Sequence, residues 1–351
     1  MRIHVLGGGI IGLASADELL TRGHDVVVVD PAPGSGASAV AAGMLSPGGE
    51  AWHGEPDGHR LGAASARLWP SYAARLGVPL HEDGVLLVGH DAGDRQLVLR
   101  QAELLQSLDV EAEPLGGGDL RRLEPSLGRV AGGIRLQERA VDPRSVVAAL
   151  LLRLGARVRR SAPRGEADVV VVATGSTLPE PWSSLVRGVR GEVVRLRTDD
   201  APRHVVRGWV AGEPVYLVPR PGGEVVVGAT VEEHDDGPRP TAGGVLRLLR
   251  AARVLVPALD RAEVLACEAR DRPATRDHLP LVGPTHHPWT FLAAGHFRHG
   301  VLLAPLTARL LADAVEGADP DPAVDPRRLL PEPVPAAPDP SAPDPGGPQC
   351  T

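Results

Sequence analysis

Arg2-Ile-His-Val-Leu-Gly-Gly-Gly-Ile-Ile-Gly-Leu-Ala-Ser-Ala-Asp-Glu-Leu-Leu-Thr-Arg-Gly-His-Asp-Val-Val-Val-Val-Asp30 is the stretch that decides the fold. Arg2–Leu6 reads as a strand, Gly7–Gly12 as a turn, Leu13–Arg22 as a helix and Asp25–Val29 as a second strand ending on an acid. Gly7 permits the tight turn, Gly9 lets backbone approach a pyrophosphate, and Gly12 lets helix and strand pack closely. Unpaired N–H groups at the helix start attract phosphates. Asp30 is placed to accept hydrogen bonds from a ribose diol. Glycines alone make a weak motif; the strand before them and the acid after them make it a dinucleotide site.

The remainder bounds the class. A chain of 351 residues is long enough for one large or two ordinary domains, and 43% hydrophobic content is that of a globular protein. All 37 basic residues are Arg and the net charge is −7, which argues against nonspecific nucleic-acid binding. No apolar run approaches the ~18 residues of a membrane helix, and no leader precedes the first strand, so the expected location is cytoplasmic. Cys267 and Cys350 make neither a disulfide framework nor a metal-ligand spacing, and no metal is expected.

Along the chain, helices are predicted over Ala63–Leu76, Arg95–Leu108, Leu120–Leu127, Asp142–Leu154 and Thr241–Leu255, and another over Val301–Val315. Four valines within Ala167–Ala173 predict a strand buried on both faces of a parallel sheet, and Gly175 follows it where a turn would meet the cofactor. Val85–Val88 and Trp289–Ala294 read as strands. Gly191–Thr198, Val215–Val218 and Glu224–Ala229 read as a separate antiparallel sheet, the last two joined through Pro219–Gly223. Expected boundaries are a dinucleotide domain in three parts (1–76, 141–186 and 271–330) and a substrate domain in two (77–140 and 187–270). A Pro- and Asp-rich tail, 331–351, carries too few large apolar groups to order.

At this point the residues resemble a known family. Gly7–Gly12, then Ala39-Val-Ala-Ala-Gly-Met-Leu45 with Glu50 soon after, are similar to the amino-terminal signature of the FAD-dependent D-amino-acid oxidase family. Val189–Glu192, Tyr216–Arg220, Val226–Thr230 and especially Gly295-His-Phe-Arg-His-Gly-Val-Leu-Leu-Ala-Pro305 agree, in the family's order, up to about residue 315. The resemblance implies an α/β fold, a Rossmann-like FAD domain with an inserted antiparallel substrate domain. It implies FAD rather than NAD, contacted by Gly7, Gly9, Ile10, Ile11, Gly12, Asp30, Ala37, Ser38, Ala42, Gly43, Met44 and Gly175. The turn His296, Phe297, Arg298, His299, Gly300, Val301 and Leu302 would face the flavin, with His296 a structural or flavin-contact residue rather than a base. Tyr216, Arg272 and Arg298 would hold the substrate carboxylate.

Chemistry asks for the same types: Arg offers a permanently charged fork to a carboxylate, and a phenol adds a directed hydrogen bond. The implied reaction, best matched by the family's glycine-oxidising branch, is oxidation of glycine, sarcosine or small D-amino acids to the imine. Oxygen becomes hydrogen peroxide, and the imine supplies thiazole synthesis for thiamine. Positioning carries the rate and no catalytic acid or base is assigned. Alternatives are a dehydrogenase using another acceptor and a flavin-binding protein without catalysis; association of copies stays open. Three departures stand out. Asp271 neighbours Arg272 where the family has Leu, and an inward acid would weaken the clamp. His299 replaces Asn, and 156–167 is shorter than the family's segment over the adenine, which would leave FAD more open to solvent. Cys267 lies where related enzymes bond flavin, but its flanks differ, so FAD is expected to be non-covalent.

Overall fold

The computed structural model of the chain describes residues 1–162, 165–233 and 237–331; the expected tail falls outside them from Glu332 onward. Strand, glycine turn, helix and strand form as the opening stretch predicts, over Arg2–Leu6, Ile10–Thr21 and Asp25–Val29. The helix starts earlier than its apolar pattern suggests, because Ile10 and Ile11 already lie in its first turn. Gly12 is required there: a Cβ would land on the Gly7 carbonyl.

A six-stranded sheet is ordered Leu281–Pro284, Thr290–Ala294, Val169–Val172, Arg2–Leu6, Asp25–Val29 and Val158–Arg159. All neighbours are parallel except the first pair. The valine run is its buried interior, as its composition demands. The helix Gly300–Val315 packs against Ile10–Thr21 and against the long helix Pro56–Leu76. Trp69 of that long helix is fully buried and donates its indole N–H to the Leu302 carbonyl at 2.9 Å. That pairing satisfies the one polar group its ring must take out of water.

The second unit is an eight-stranded sheet. Its order is Glu263–Ala274, Arg187–Arg197, Glu224–Gly228, Glu213–Pro219, Val205–Val210, Val85–Gly89, Gly132–Leu136 and Glu113–Gly116. Only the join between Val205–Val210 and Val85–Gly89 is parallel. The helix Ala242–Leu255 covers one face, capped by Thr241, whose side chain accepts from the Gly244 amide. Glu263–Ala274 runs unbroken through the boundary expected at residue 270, so Arg272 belongs to this sheet. Its charged, Pro-containing sequence hides a strand because it lies at the sheet edge, half-exposed along most of its length. A small third sheet, Met44–Leu45, Arg139–Val141 and Leu80–His81, joins the two units. Among the described residues no helix is long and apolar enough to cross a membrane.

Candidate active site

One cavity of about 580 Å³ runs from the opening glycine turn to the face of the eight-stranded sheet. Its first end lies at the carboxyl ends of the parallel strands, where Gly7, Asp30 and Gly175 sit, the position at which open α/β sheets take ligands. The Ile10 amide donates to Ser38 Oγ at 3.0 Å, so Ser38 is drawn to the helix start. Asp30 accepts from the Gly8 amide at 2.6 Å and the Ala32 amide at 2.7 Å. A carboxylate with two oxygens still has lone pairs to offer a diol. The shortened segment supplies Val158–Arg159 as the edge strand beside Asp25–Val29, and the Asp30 amide donates to the Arg159 carbonyl.

The middle wall is the small-residue loop after Asp30. Arg144 and Arg195 both donate to the Ala39 carbonyl, at 2.8 and 3.2 Å, and Arg220 donates to that of Ala42. Cations of the neighbouring helix and sheet thus hold in place a loop with few side chains of its own to anchor it.

The far end is built on one face of the large sheet. Register sets Arg207, Tyr216 and Gly228 side by side across three strands, and directly opposed residues share a face. The Tyr216 ring lies over Gly228, where a Cβ would strike it, and the Arg272 guanidinium lies over Gly191 in the same way. Arg272 donates to the carbonyls of Arg190 and Thr230, each at 3.1 Å, which fixes its plane. Asp271 points the other way, toward buried Arg190 at 3.6 Å, so it does not oppose the clamp. Burial pushes the Tyr216 phenol up, and it stays a neutral donor.

Arg298 closes the end from the turn after Thr290–Ala294. Phe297 takes a left-handed φ of 47° to make that turn, and its ring stacks on His278 at 4.8 Å. Arg298 pairs loosely with Glu55 at 3.4 Å, and its buried Nε has no hydrogen-bond partner among the described residues. Burial lowers its affinity for a proton, and the like charges of Arg207 and Arg272 add to that, against Glu50 and Glu55. A carboxylate placed here would relieve both burdens. His296 is buried against Thr307 Oγ1 at 2.9 Å; burial, helped by His299, drops its pKa to about 3 and keeps it neutral.

Of the residues expected to contact FAD or the substrate carboxylate, Gly12, His299 and Leu302 do not line the cavity, and the others do. Gly12 packs against the turn, and Leu302 turns its carbonyl to Ser65 and Trp69. His299 faces Glu50, its Nδ1 3.5 Å from the carboxylate. Burial opposes ionisation of Glu50, but His299, Arg207 and Arg298 outweigh it and bring its pKa to about 2. Sequence reasoning missed Arg207, which lines the cavity and donates to Glu50 at 3.0 Å, because no strand was expected at 205–210. It also missed Trp52. Cys267 is half-buried, lies outside the cavity lining, and has its thiol pKa pushed up by burial.

Residues 2–314 match the DAO family model, described as FAD dependent oxidoreductase. The chain belongs to this family. It is an FAD-dependent oxidoreductase. The glycine oxidase of Geobacillus kaustophilus is 31% identical over 354 residues, covering 90% of this chain and 92% of that protein. A Rhizobium etli protein whose name refers to a thiamine biosynthesis oxidoreductase, ThiO, is 37% identical over 321 residues, 88% of this chain and 94% of that one. The crystal structure of the Geobacillus kaustophilus glycine oxidase superposes with a TM-score of 0.79 at 30% identity, over 92% of this chain and 96% of that one.

The family's cofactor fits the residues present. A long cavity begins at a dinucleotide turn, and the side of Gly175 where a Cβ would stand is open space. The wall between is small side chains that let a flat ring lie against backbone.

Proposed function

We propose that the chain oxidises glycine, with sarcosine and small D-amino acids as further substrates, to the imine and hydrogen peroxide, and that the imine serves thiazole formation in thiamine biosynthesis. The names of its relatives support the pathway. One observation carries the substrate reading: Tyr216, Arg272 and Arg298 meet at one end of the cavity, and the dinucleotide turn lies at the other.

In this reading FAD is held without a covalent bond by Gly7, Gly9, Ile10, Ile11, Asp30, Ala37, Ser38, Ala42, Gly43, Met44 and Gly175, and by the turn His296–Val301. When bound, FAD supplies the hydride acceptor and the route to oxygen. The protein's own work is placement. Arg272, fixed by two carbonyls, offers its remaining N–H groups to the carboxylate, Arg298 takes the other side, and the Tyr216 hydroxyl donates a third bond. Clamping the carboxylate fixes the α-carbon, and orientation of this kind is worth several powers of ten in rate. His296, with its pKa lowered to about 3 by burial, is a poor proton acceptor, and the amine proton leaves to solvent.

Purified protein with FAD, assayed in air with glycine, sarcosine and D-alanine, tests this. Peroxide from glycine supports it; no peroxide from any of the three refutes the oxidase assignment. Bleaching of the flavin by glycine without reoxidation in air would instead mark a dehydrogenase, and no spectral change at all a binding protein.

A further inference from the structure

Trp52 stands out at the mouth of the cavity: it lines it, yet 55% of its surface is exposed. The loop that carries it is held from both sides. Glu138 accepts from the Gly48 and Gly49 amides at 2.6 and 3.1 Å. Gln101 Nε2 donates to the carbonyls of Gly48 and Ala51 at 3.3 and 2.9 Å, the latter next in chain to Trp52. The indole is therefore placed by its backbone and not by burial. Its face lies against Arg298, with Cζ 4.2 Å from the ring centroid, and the Phe297 ring approaches the same guanidinium at 5.1 Å. Arg298 is left with a buried, unpartnered Nε among the described residues.

We infer that Trp52 is a positioning residue for carboxylate recognition: it shields one face of Arg298 from water and fixes the plane in which the guanidinium meets the substrate. An ammonium or guanidinium on an indole face is stabilised more strongly as water is excluded, and a shielded cation is the better partner for an anion. An aliphatic side chain of similar size would cover Arg298 but supply no π face. The inference rests on Arg298 as a carboxylate holder.

The test uses FAD-loaded protein and acetate, which has the carboxylate and cannot be oxidised, read by the change in the flavin absorption spectrum. Trp52→Ala should weaken acetate about 10-fold, within the range of cation–π contacts, and Trp52→Phe by less than about 3-fold. Trp52→Leu should resemble Ala rather than Phe. With glycine, the larger share of the Trp52→Ala effect should fall on KM. Arg298→Lys should weaken acetate at least as much. If Arg298→Lys weakens acetate and Trp52→Ala or Trp52→Leu does not, the role of Trp52 is refuted and that of Arg298 stands. If Arg298→Lys also leaves acetate binding unchanged, the reading of Arg298 fails and takes this inference with it.

Discussion

Gly191→Ala removes no polar atom and adds one methyl group, yet it should cripple recognition of the carboxylate. A Cβ at this position would occupy the space of the Arg272 guanidinium. Backbone cannot yield easily, because Gly191 is paired with Arg270 of the edge strand, and two residues on, at Val193, its strand is also paired on the other side, with Gly228. The guanidinium must therefore lift, and its hydrogen bonds to Arg190 and Thr230, both 3.1 Å, stretch or break. A hydrogen bond to a charged group contributes about 1.5–3 kcal/mol, so losing one aligned bond to the substrate carboxylate weakens it about 10- to 150-fold. Acetate titration of the FAD-loaded variant measures this directly, and the KM for glycine should rise in parallel. FAD content and melting temperature act as controls for loss of the cofactor or of the fold. Acetate affinity within about twofold of wild type, in a folded and FAD-loaded variant, would refute the seating of Arg272 on Gly191.

Further outcomes follow from other contacts. Tyr216→Phe deletes the hydroxyl and keeps the ring over Gly228; the KM for glycine should rise about 10-fold with melting temperature little changed, as measured by steady-state kinetics and calorimetry. Trp69→Ala empties a fully buried site and leaves the Leu302 carbonyl, among the described residues, with Ser65 as its side-chain partner; chemical denaturation should show a loss of about 3–5 kcal/mol. His296 titrates at about 3 when folded against 6.5 unfolded. The unfolded chain thus binds its proton first, and stability should fall as pH drops below 6.5, by up to about 1.4 kcal/mol per pH unit. His296→Gln should flatten that slope in denaturation curves at pH 8, 6 and 5; an unchanged slope would show that His296 is not its source.

How much of this was legible in the sequence depends on how local the signal is. The opening turn, the valine strand at 169–172 and the capped helix at Pro143–Leu154 each carry their own punctuation, and all formed. Strands at Val205–Val210 and Gly132–Leu136 escaped notice because their patterns are short and interrupted by Gly and Arg. Those residues are strands because their neighbours in the sheet make them so. The site follows the same rule. Tyr216, Arg272 and Arg298 are found through motifs, whereas Arg207 has none and is brought beside Tyr216 only by strand register. The direction of Asp271, away from Arg272 and toward Arg190, is likewise a consequence of strand alternation once Glu263–Ala274 is known to be a strand. His299 and Leu302 sit in the right motif but face inward, because a helix starting at Gly300 buries that side against Pro56–Leu76.

In the proposed function, one cavity joins a flavin site to a carboxylate clamp suited to glycine. The visible spectrum of the FAD-loaded protein, recorded before and after glycine is added without oxygen, addresses it most directly. The expected result is a yellow protein whose absorbance near the flavin maximum bleaches on glycine and returns when air is admitted. A yellow protein that keeps its colour with glycine, sarcosine and D-alanine would contradict it.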